Sequence, residues 1–347
     1  MAEINIGRII RRLQDVGNVT VAVIGDFCLD KYVYSHPERD ELSVETDLTA
    51  RQFHRKKTAA GAGGTITNNL RALGAKVLCV GAIGQDGEGW ELLRELHKIG
   101  ADTTFLYQSE ELCTPTYMKP MIRREHGYEE AGRLDFRNFT PLSAETENKI
   151  LENFAKALEQ ADVCLAIDQF FQRNTGILTD RVREGFMALA QKAGKPVLAD
   201  SRALITEFDR TMIKCNNLEL IRYFNEGKGD PEDLETVKEC GKRLYARNGN
   251  PMFITRGAAG MLVFDQDGVT EVPAFRVEGP VDICGAGDAS SAGIGIGTAL
   301  GLSLPEAATL ACCISSITIQ QLGDTGTATV EQVTERLNTR REPDEQR

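Results

Sequence analysis

Asp282-Ile283-Cys284-Gly285-Ala286-Gly287-Asp288 places a carboxylate at each end of a glycine-rich turn, and the small-residue run ASSAGIGIGTALG that follows has helical potential despite its glycines. A glycine turn opening a helix aims bare backbone N–H groups and the positive end of the helix dipole at one point. That point suits an anion such as a transferring phosphoryl group. Asp288 beside it could accept the proton of a hydroxyl as that hydroxyl attacks phosphorus, while Gly285, Ala286 and Gly287 hold the charge spreading over the phosphoryl oxygens. The same residues also read as an ordinary helix cap, since Asp caps helices and Gly makes turns.

A second glycine element, Gly61-Ala62-Gly63-Gly64, leads into TITNNLRALG. Gly63 and Gly64 would let a polyol come against the main chain, and Asn68 offers both a donor and an acceptor to its hydroxyls. The segment is equally a capped helix over about residues 65–73 ending at Gly74. Asp26 and Asp30 stand in GDFCLD, at the end of the first strand-like run, where a parallel sheet usually holds its ligand. Turn formation is the plainer account of both.

These residues need a frame. Apolar, β-rich runs start at Val19, Lys76, Asp162, Lys195 and Pro251 and alternate with helix-like stretches, which predicts an α/β fold with a mainly parallel sheet and helices on both faces. Residues of about 31–57 and 105–139 break the pattern and read as one small β subdomain inserted twice, a lid over a single domain spanning 1–338. The charged tail 339–347, free of apolar residues, is expected to fray.

The 347 residues are 41% hydrophobic and 26% charged, ordinary globular material. A net charge of -11 and a pI near 5.1 argue against a nucleic-acid partner, which needs a basic face. No apolar run approaches a membrane span, and a cytoplasmic location is expected. The nine cysteines contain no CxxC pair, so neither a disulfide framework nor a zinc site is expected.

In their order and spacing, GGTITNNLRALG, VGAIGQDGEG, CNNLE, TRGAAG and DICGAGD resemble the PfkB or ribokinase-like carbohydrate kinases. The resemblance covers most of the chain. It implies a Rossmann-like domain with a β lid, ATP as phosphoryl donor and Mg²⁺ on its phosphates. Asp288 is then the catalytic base, Gly285, Ala286 and Gly287 the anion hole, and Asp282 its supporting carboxylate, with room for a monovalent cation nearby. Asn216 and Glu219 match the element that orders Mg²⁺ and phosphates, Glu219 through water. Thr255, Gly257 and Gly260 match the loop beside the nucleotide, and Asp26, Asp30, Gly63, Gly64 and Asn68 match positions that hold the sugar. A homodimer through the lid is implied as well.

Within the family, GDFCLDKYVY, GRLDFRNF and ADSRALITEF look most like the kinase of D-glycero-D-manno-heptose 7-phosphate. An acceptor already phosphorylated would need basic groups, and Lys119, Arg123, Arg124, Arg133 and Arg137 are available in the second insertion. The chain departs from that branch at DQFFQRNTG after Asp168, and it has no HxGH motif, so no nucleotidylyl transfer is expected. It also departs from the family at Ile283-Cys284. Cys284, close to a helix start, could have a lowered pKa and be oxidant-sensitive, although a buried structural cysteine is the plainer reading. Two other readings stay open: a nucleoside kinase of the same fold, stacking a base on Tyr32, Tyr34 or Tyr117, and a catalytically silent sugar- or nucleotide-binding regulator.

Overall fold

The computed structural model describes residues 4–224, 227–323 and 325–340. Among these, nine strands form one sheet: β1 (Thr20–Gly25), β6 (Lys76–Gly84), β7 (Leu106–Ser109), β11 (Val163–Asp168), β12 (Val197–Ser201), β13 (Met212–Asn216), β14 (Met252–Thr255), β15 (Met261–Asp265) and β16 (Gly268–Val272). Their order is β16-β15-β14-β13-β12-β11-β1-β6-β7. Every neighbouring pair from β14 to β7 is parallel; β15 and β16 turn back as an antiparallel edge.

Ten helices cover the sheet: α1 (Ile6–Leu13), α2 (Gly63–Ala72), α3 (Gly87–Lys98), α4 (Ala144–Leu158), α5 (Asp180–Lys192), α6 (Asn217–Phe224), α7 (Leu234–Asn248), α8 (Ala286–Ala299), α9 (Leu304–Thr318) and α10 (Val330–Asn338), again among the described residues. Strand side chains alternate faces. Val21, Val23 and Leu165 therefore enter one core with Ile66 and Leu70 of α2 and Ala292, Ile294 and Ile296 of α8, whereas Ala22, Ile24, Cys164 and Ala166 enter the other with Phe154 of α4 and Phe186 of α5. Apolar residues on both faces are what a doubly covered parallel strand requires. The glycines of α8 have a packing cause. A Cβ at Gly293 would lie 2.6 Å from Ala311 Cα, and one at Gly297 2.6 Å from Ala307 Cβ, so they let α8 press against α9.

The five runs expected as strands are all strands of this sheet. β7, β13, β15 and β16 go beyond them: β7 is short, β13 carries Lys214 and Asn216, β15 has only the four apolar residues Met261–Phe264 before Asp265, and β16 is a half-exposed edge, so none shows a long apolar run. Leu106–Ser109, inside the second interval expected to break the pattern, pairs with β6 in the large sheet.

A second sheet stands over the carboxyl edge of the first. It runs β10 (Leu134–Phe136), β8 (Thr116–Arg124), β2 (Phe27–Ser35), β5 (Phe53–Ala62), with β9 (Gly127–Glu130) on β8, and a hairpin of β3 (Glu41–Leu42) and β4 (Thr49–Ala50) projects from it. β2 continues from β1 after one residue, and β5 runs straight into α2, so the second sheet is tied to the first at two chain crossings. At the other end of the chain, Thr339 caps α10 and Arg340 donates to Pro273 O (3.0 Å) and to Ala274 O, with its guanidinium 3.7 Å over Phe275. The first two residues of the charged tail are thus docked; 341–347 lie outside the described residues.

Candidate active site

The chain leaves β1 towards β6 on one side and returns at β11 on the other, so the strand order reverses between β1 and β11. Open α/β sheets bind ligands beyond the carboxyl ends at such a point. Asp26 follows β1 and Asp168 ends β11 there.

Asp26 has a role other than the expected sugar contact. It is 1% exposed, and its two oxygens accept the N–H groups of Gln169 and Ile177, each at 2.8 Å, while its own carbonyl accepts Gly63 N–H at 2.9 Å. Asp26 therefore pins the 169–177 loop and the start of α2 to the sheet. Burial raises its pKa to about 6 against those two hydrogen bonds. Gly63 and Gly64 have a packing cause, because protein already fills the space their side chains would take. A Cβ at Gly63 would lie 2.9 Å from Asp26 O, and one at Gly64 2.5 Å from Ala60 Cβ. Their smallness serves the packing of α2; Asn68, half-buried, lies one turn further along it.

Asp30, on β2, is held differently. Its Oδ1 receives Lys119 Nζ of β8 at 3.0 Å, and the same ammonium donates to Tyr32 OH at 3.1 Å. Burial opposes the charge on Lys119, but Asp30 and Tyr32 together outweigh it and raise the lysine's pKa. Arg133 lies 4.8 Å from the Tyr117 ring and pairs with Asp135, and Arg137 lies over Phe139 and Phe170, so these two stand at the same end of the second sheet. Arg123 and Arg124 are exposed at the β8–β9 turn.

The catalytic-loop candidates come together as one unit. Asp282 Oδ1 accepts Cys284 N–H at 3.0 Å and Oδ2 accepts Gly323 N–H at 3.1 Å, which straps the turn to the segment after α9. Gly285, at φ +80°, is the N-cap of α8 and offers it no side chain. Ala286 N–H is committed to Ile283 O at 3.1 Å, so the uncapped first-turn donors are those of Gly287 and Asp288. Asp288 keeps some accessible surface, yet loss of hydration pushes its pKa up to about 7; Asp200 and Asp30 add to the shift and Lys214 and Arg202 oppose it. Charges on β2, β12 and β13 thus all act on the first turn of α8.

Cys284 corrects an expectation. It is exposed, as an oxidant-sensitive thiol must be, but its pKa is raised: partial burial is the main cause, Lys119 opposes it, and Asp282, Asp30 and Asp288 add to it. It lies before the N-cap, outside the turn whose N–H groups would stabilise a thiolate.

Asn216 and Glu219 form a reciprocal pair at the end of β13: Glu219 Oε2 accepts Asn216 N–H at 2.9 Å and Asn216 Oδ1 accepts Glu219 N–H at 2.8 Å. This caps α6 and aims a carboxylate along the edge. Burial raises the pKa of Glu219, opposed by the Asn216 bond. Among the described residues no three His, Cys, Asp or Glu side chains form a metal cage. A lone carboxylate with one oxygen in the cap fits Mg²⁺ that keeps its own waters. Thr255, one strand over, donates to Cys215 O at 3.5 Å. Gly257 (φ +52°) faces open space, whereas a Cβ at Gly260 (φ +89°) would lie 2.1 Å from Val272 O, so Gly260 closes the turn against β16.

Four residues of the neighbourhood were not among those singled out from sequence. Lys214 Nζ pairs with Asp200 Oδ2 at 2.8 Å, and Ser291 Oγ donates to the same oxygen at 2.8 Å. Ser201 Oγ donates to Asp168 Oδ2 at 2.6 Å. Lys214 directly precedes CNNLE, and a charge inside an otherwise apolar strand was the available signal. A cavity of about 530 Å³ lies elsewhere, lined by Arg183, Glu207, Arg210 and Arg247 among others; Arg183 there is paired with Asp180 and Glu207.

The chain has relatives in sequence and in fold. The chain is 28% identical over 326 residues to the bifunctional protein HldE of Bradyrhizobium diazoefficiens, covering 92% of this chain and 63% of that protein, and 29% identical over 307 residues to HldE of Methylobacillus flagellatus, covering 88% and 60%. It thus spans less than two thirds of the length of these relatives. In fold it is similar to Arabidopsis thaliana ribokinase complexed with ribose and ATP (TM-score 0.68, 18% identity, 92% of this chain and 98% of that one) and to Escherichia coli phosphofructokinase-2 in complex with potassium (0.68, 16%, 92% and 98%). Residues 20–330 match the pfkB family carbohydrate kinases. The chain belongs to that family, with a large, mainly parallel sheet and a second β sheet over its carboxyl edge.

Proposed function

We propose that the protein transfers the γ-phosphoryl group of ATP to a hydroxyl of a sugar or sugar phosphate, with Asp288 as general base. One observation carries this reading: Asp288 sits in the first turn of α8 beside uncapped N–H groups, with a pKa near 7 that lets it take a proton at neutral pH. Asp30 on the second sheet faces it as the group that orients the acceptor. The N–H groups of Gly287 and Asp288 receive the charge of the transferred group. Gly285 gives the turn its left-handed bend, and Asp282 keeps it strapped. Asn216 and Glu219 would hold a hydrated Mg²⁺, which neutralises charge on the phosphates, and Thr255 and Gly257 would line the nucleotide.

A phosphorylated acceptor, as the heptose 7-phosphate resemblance implies, would meet Lys119, Arg133 and Arg137. A nucleoside acceptor is disfavoured because Tyr32 is bound to Lys119 and Tyr117 is covered by Arg133. A silent regulator would have little use for a proton acceptor at an anion site. A monovalent cation near Asp282 would rest on backbone carbonyls, both carboxylate oxygens being engaged. A second copy of the chain would cover Leu42, Val44, Leu48, Leu134 and Phe136, which the hairpin and second sheet leave exposed. The nine free cysteines suit a reducing, cytoplasmic setting, and no helix among the described residues is long and apolar enough to cross a membrane.

The test is ADP release from Mg-ATP against free hexoses, pentoses, heptose 7-phosphate, sedoheptulose 7-phosphate and nucleosides. Turnover that depends on a sugar or sugar phosphate supports the reading. Nucleotide binding without turnover on any acceptor would replace it with the silent regulator.

A further inference from the structure

A lysine buried in a sheet needs a reason, because a buried ion pair adds little to stability compared with an apolar pair of the same shape. Lys214 is 6% exposed, inside β13 between Ile213 and Cys215, which enter the apolar core. Burial opposes its charge, but the neighbouring Asp200 outweighs this and holds the ammonium above its ordinary pKa.

Two observations give the side chain a direction. A Cβ built on Gly287 would lie 3.0 Å from Lys214 Nζ, so the ammonium stands against the first turn of α8, at the residue whose N–H is left uncapped. An ammonium has three N–H donors. Asp200 Oδ2 takes one at 2.8 Å, and among the described residues no other acceptor takes the remaining two. Ser291, one turn along α8, donates to that same Asp200 oxygen and so locks the lysine's partner to the helix.

We propose that Lys214 is the third member of the anion hole: its free N–H groups bind the transferring phosphoryl group beside the Gly287 and Asp288 N–H groups, with Asp200 and Ser291 as positioning residues. The inference rests on the phosphotransferase reading. A fixed positive charge placed where negative charge develops acts mainly in the transition state, because it is already oriented when the charge arrives. Gly287 then has a second reason to be glycine, since any side chain there would push the ammonium aside.

The experiment compares wild type with Lys214→Met and with Lys214→Met/Asp200→Asn. The double variant removes both charges and guards against unfolding caused by an unpaired buried Asp200. Acceptor-dependent ADP release, melting temperature, and the affinities of a non-hydrolysable ATP analogue and of ADP with aluminium fluoride, a mimic of the phosphoryl group in flight, are measured on each. In folded variants kcat and the aluminium fluoride affinity should both fall by roughly 10² to 10³-fold, with the ATP-analogue affinity little changed. A folded variant that keeps wild-type kcat and aluminium fluoride affinity, or that loses both ligands equally, overturns the proposal and leaves the kinase reading intact. Wild type inactive on every acceptor overturns both.

Discussion

Lys119 Nζ and Asp30 Oδ1 lie 3.0 Å apart across neighbouring strands of the second sheet, both mostly buried, with Tyr32 OH as a further partner of the lysine. The Asp30 carboxylate is therefore held in one orientation. In the proposed function, that preorganisation would lower the cost of fixing an acceptor hydroxyl.

If Asp30 holds the acceptor, Asp30→Asn removes a charged hydrogen-bond acceptor, worth about 1.5–3 kcal/mol. The acceptor KM should rise by roughly ten- to a hundredfold by the same magnitude, with the ATP KM unchanged. Initial-rate kinetics with each substrate varied in turn decide it; an equal rise in both constants would place Asp30 outside the acceptor site.

Asp288 must be ionised to take a proton. With its pKa at about 7, kcat/KM should rise with pH through neutrality and level off above it. Asp288→Asn should lower kcat by roughly 10² to 10⁴-fold and abolish that limb. A variant that keeps the limb would assign the titration to another group.

Asp168 is 5% exposed, and burial pushes its pKa to about 7, helped by Asp26 and opposed by Ser201. Its folded value lies above its ordinary one, so protonation favours the folded chain: the contribution is full below about pH 4 and is lost as pH rises through about 7. Asp168→Asn cannot lose it. Melting curves from pH 5 to pH 8 should show the variant gaining on wild type as pH rises, and a constant gap would refute the assignment.

Gly257 and Gly260 separate two reasons for glycine in one loop. Gly257→Ala meets open space and has only its positive φ against it, a cost of about 1–2 kcal/mol. Gly260→Ala adds a collision with Val272 O, so it should cost roughly 2–4 kcal/mol in all. Denaturant melts of the two variants measure the difference directly.

The local parts of this protein were legible in its sequence. Apolar runs with β-branched residues defined five strands of the parallel sheet, the Gly285–Gly287 turn announced the start of α8, and Gly74 ended α2, because these depend on burial pattern and backbone freedom within a few residues. Asp30 and Asp288, expected at one site on separate motifs, lie near enough for the charge of Asp30 to add to the raised pKa of Asp288. What the sequence could not settle was which polar group meets which. Asp26 and Asp30 look alike four residues apart, yet one is closed off by two backbone N–H groups from a loop 143 and 151 positions away, and the other pairs with Lys119 of β8. Cys284 near a helix start suggested a lowered pKa, and partial burial raises it instead, with three carboxylates from β2 and the catalytic loop adding to the shift. Lys214 is a residue in a strand until β12, β13 and α8 come together around it. Electrostatic environment and hydrogen-bond partnership arise from groups distant in the chain, so only the tertiary structure decides them.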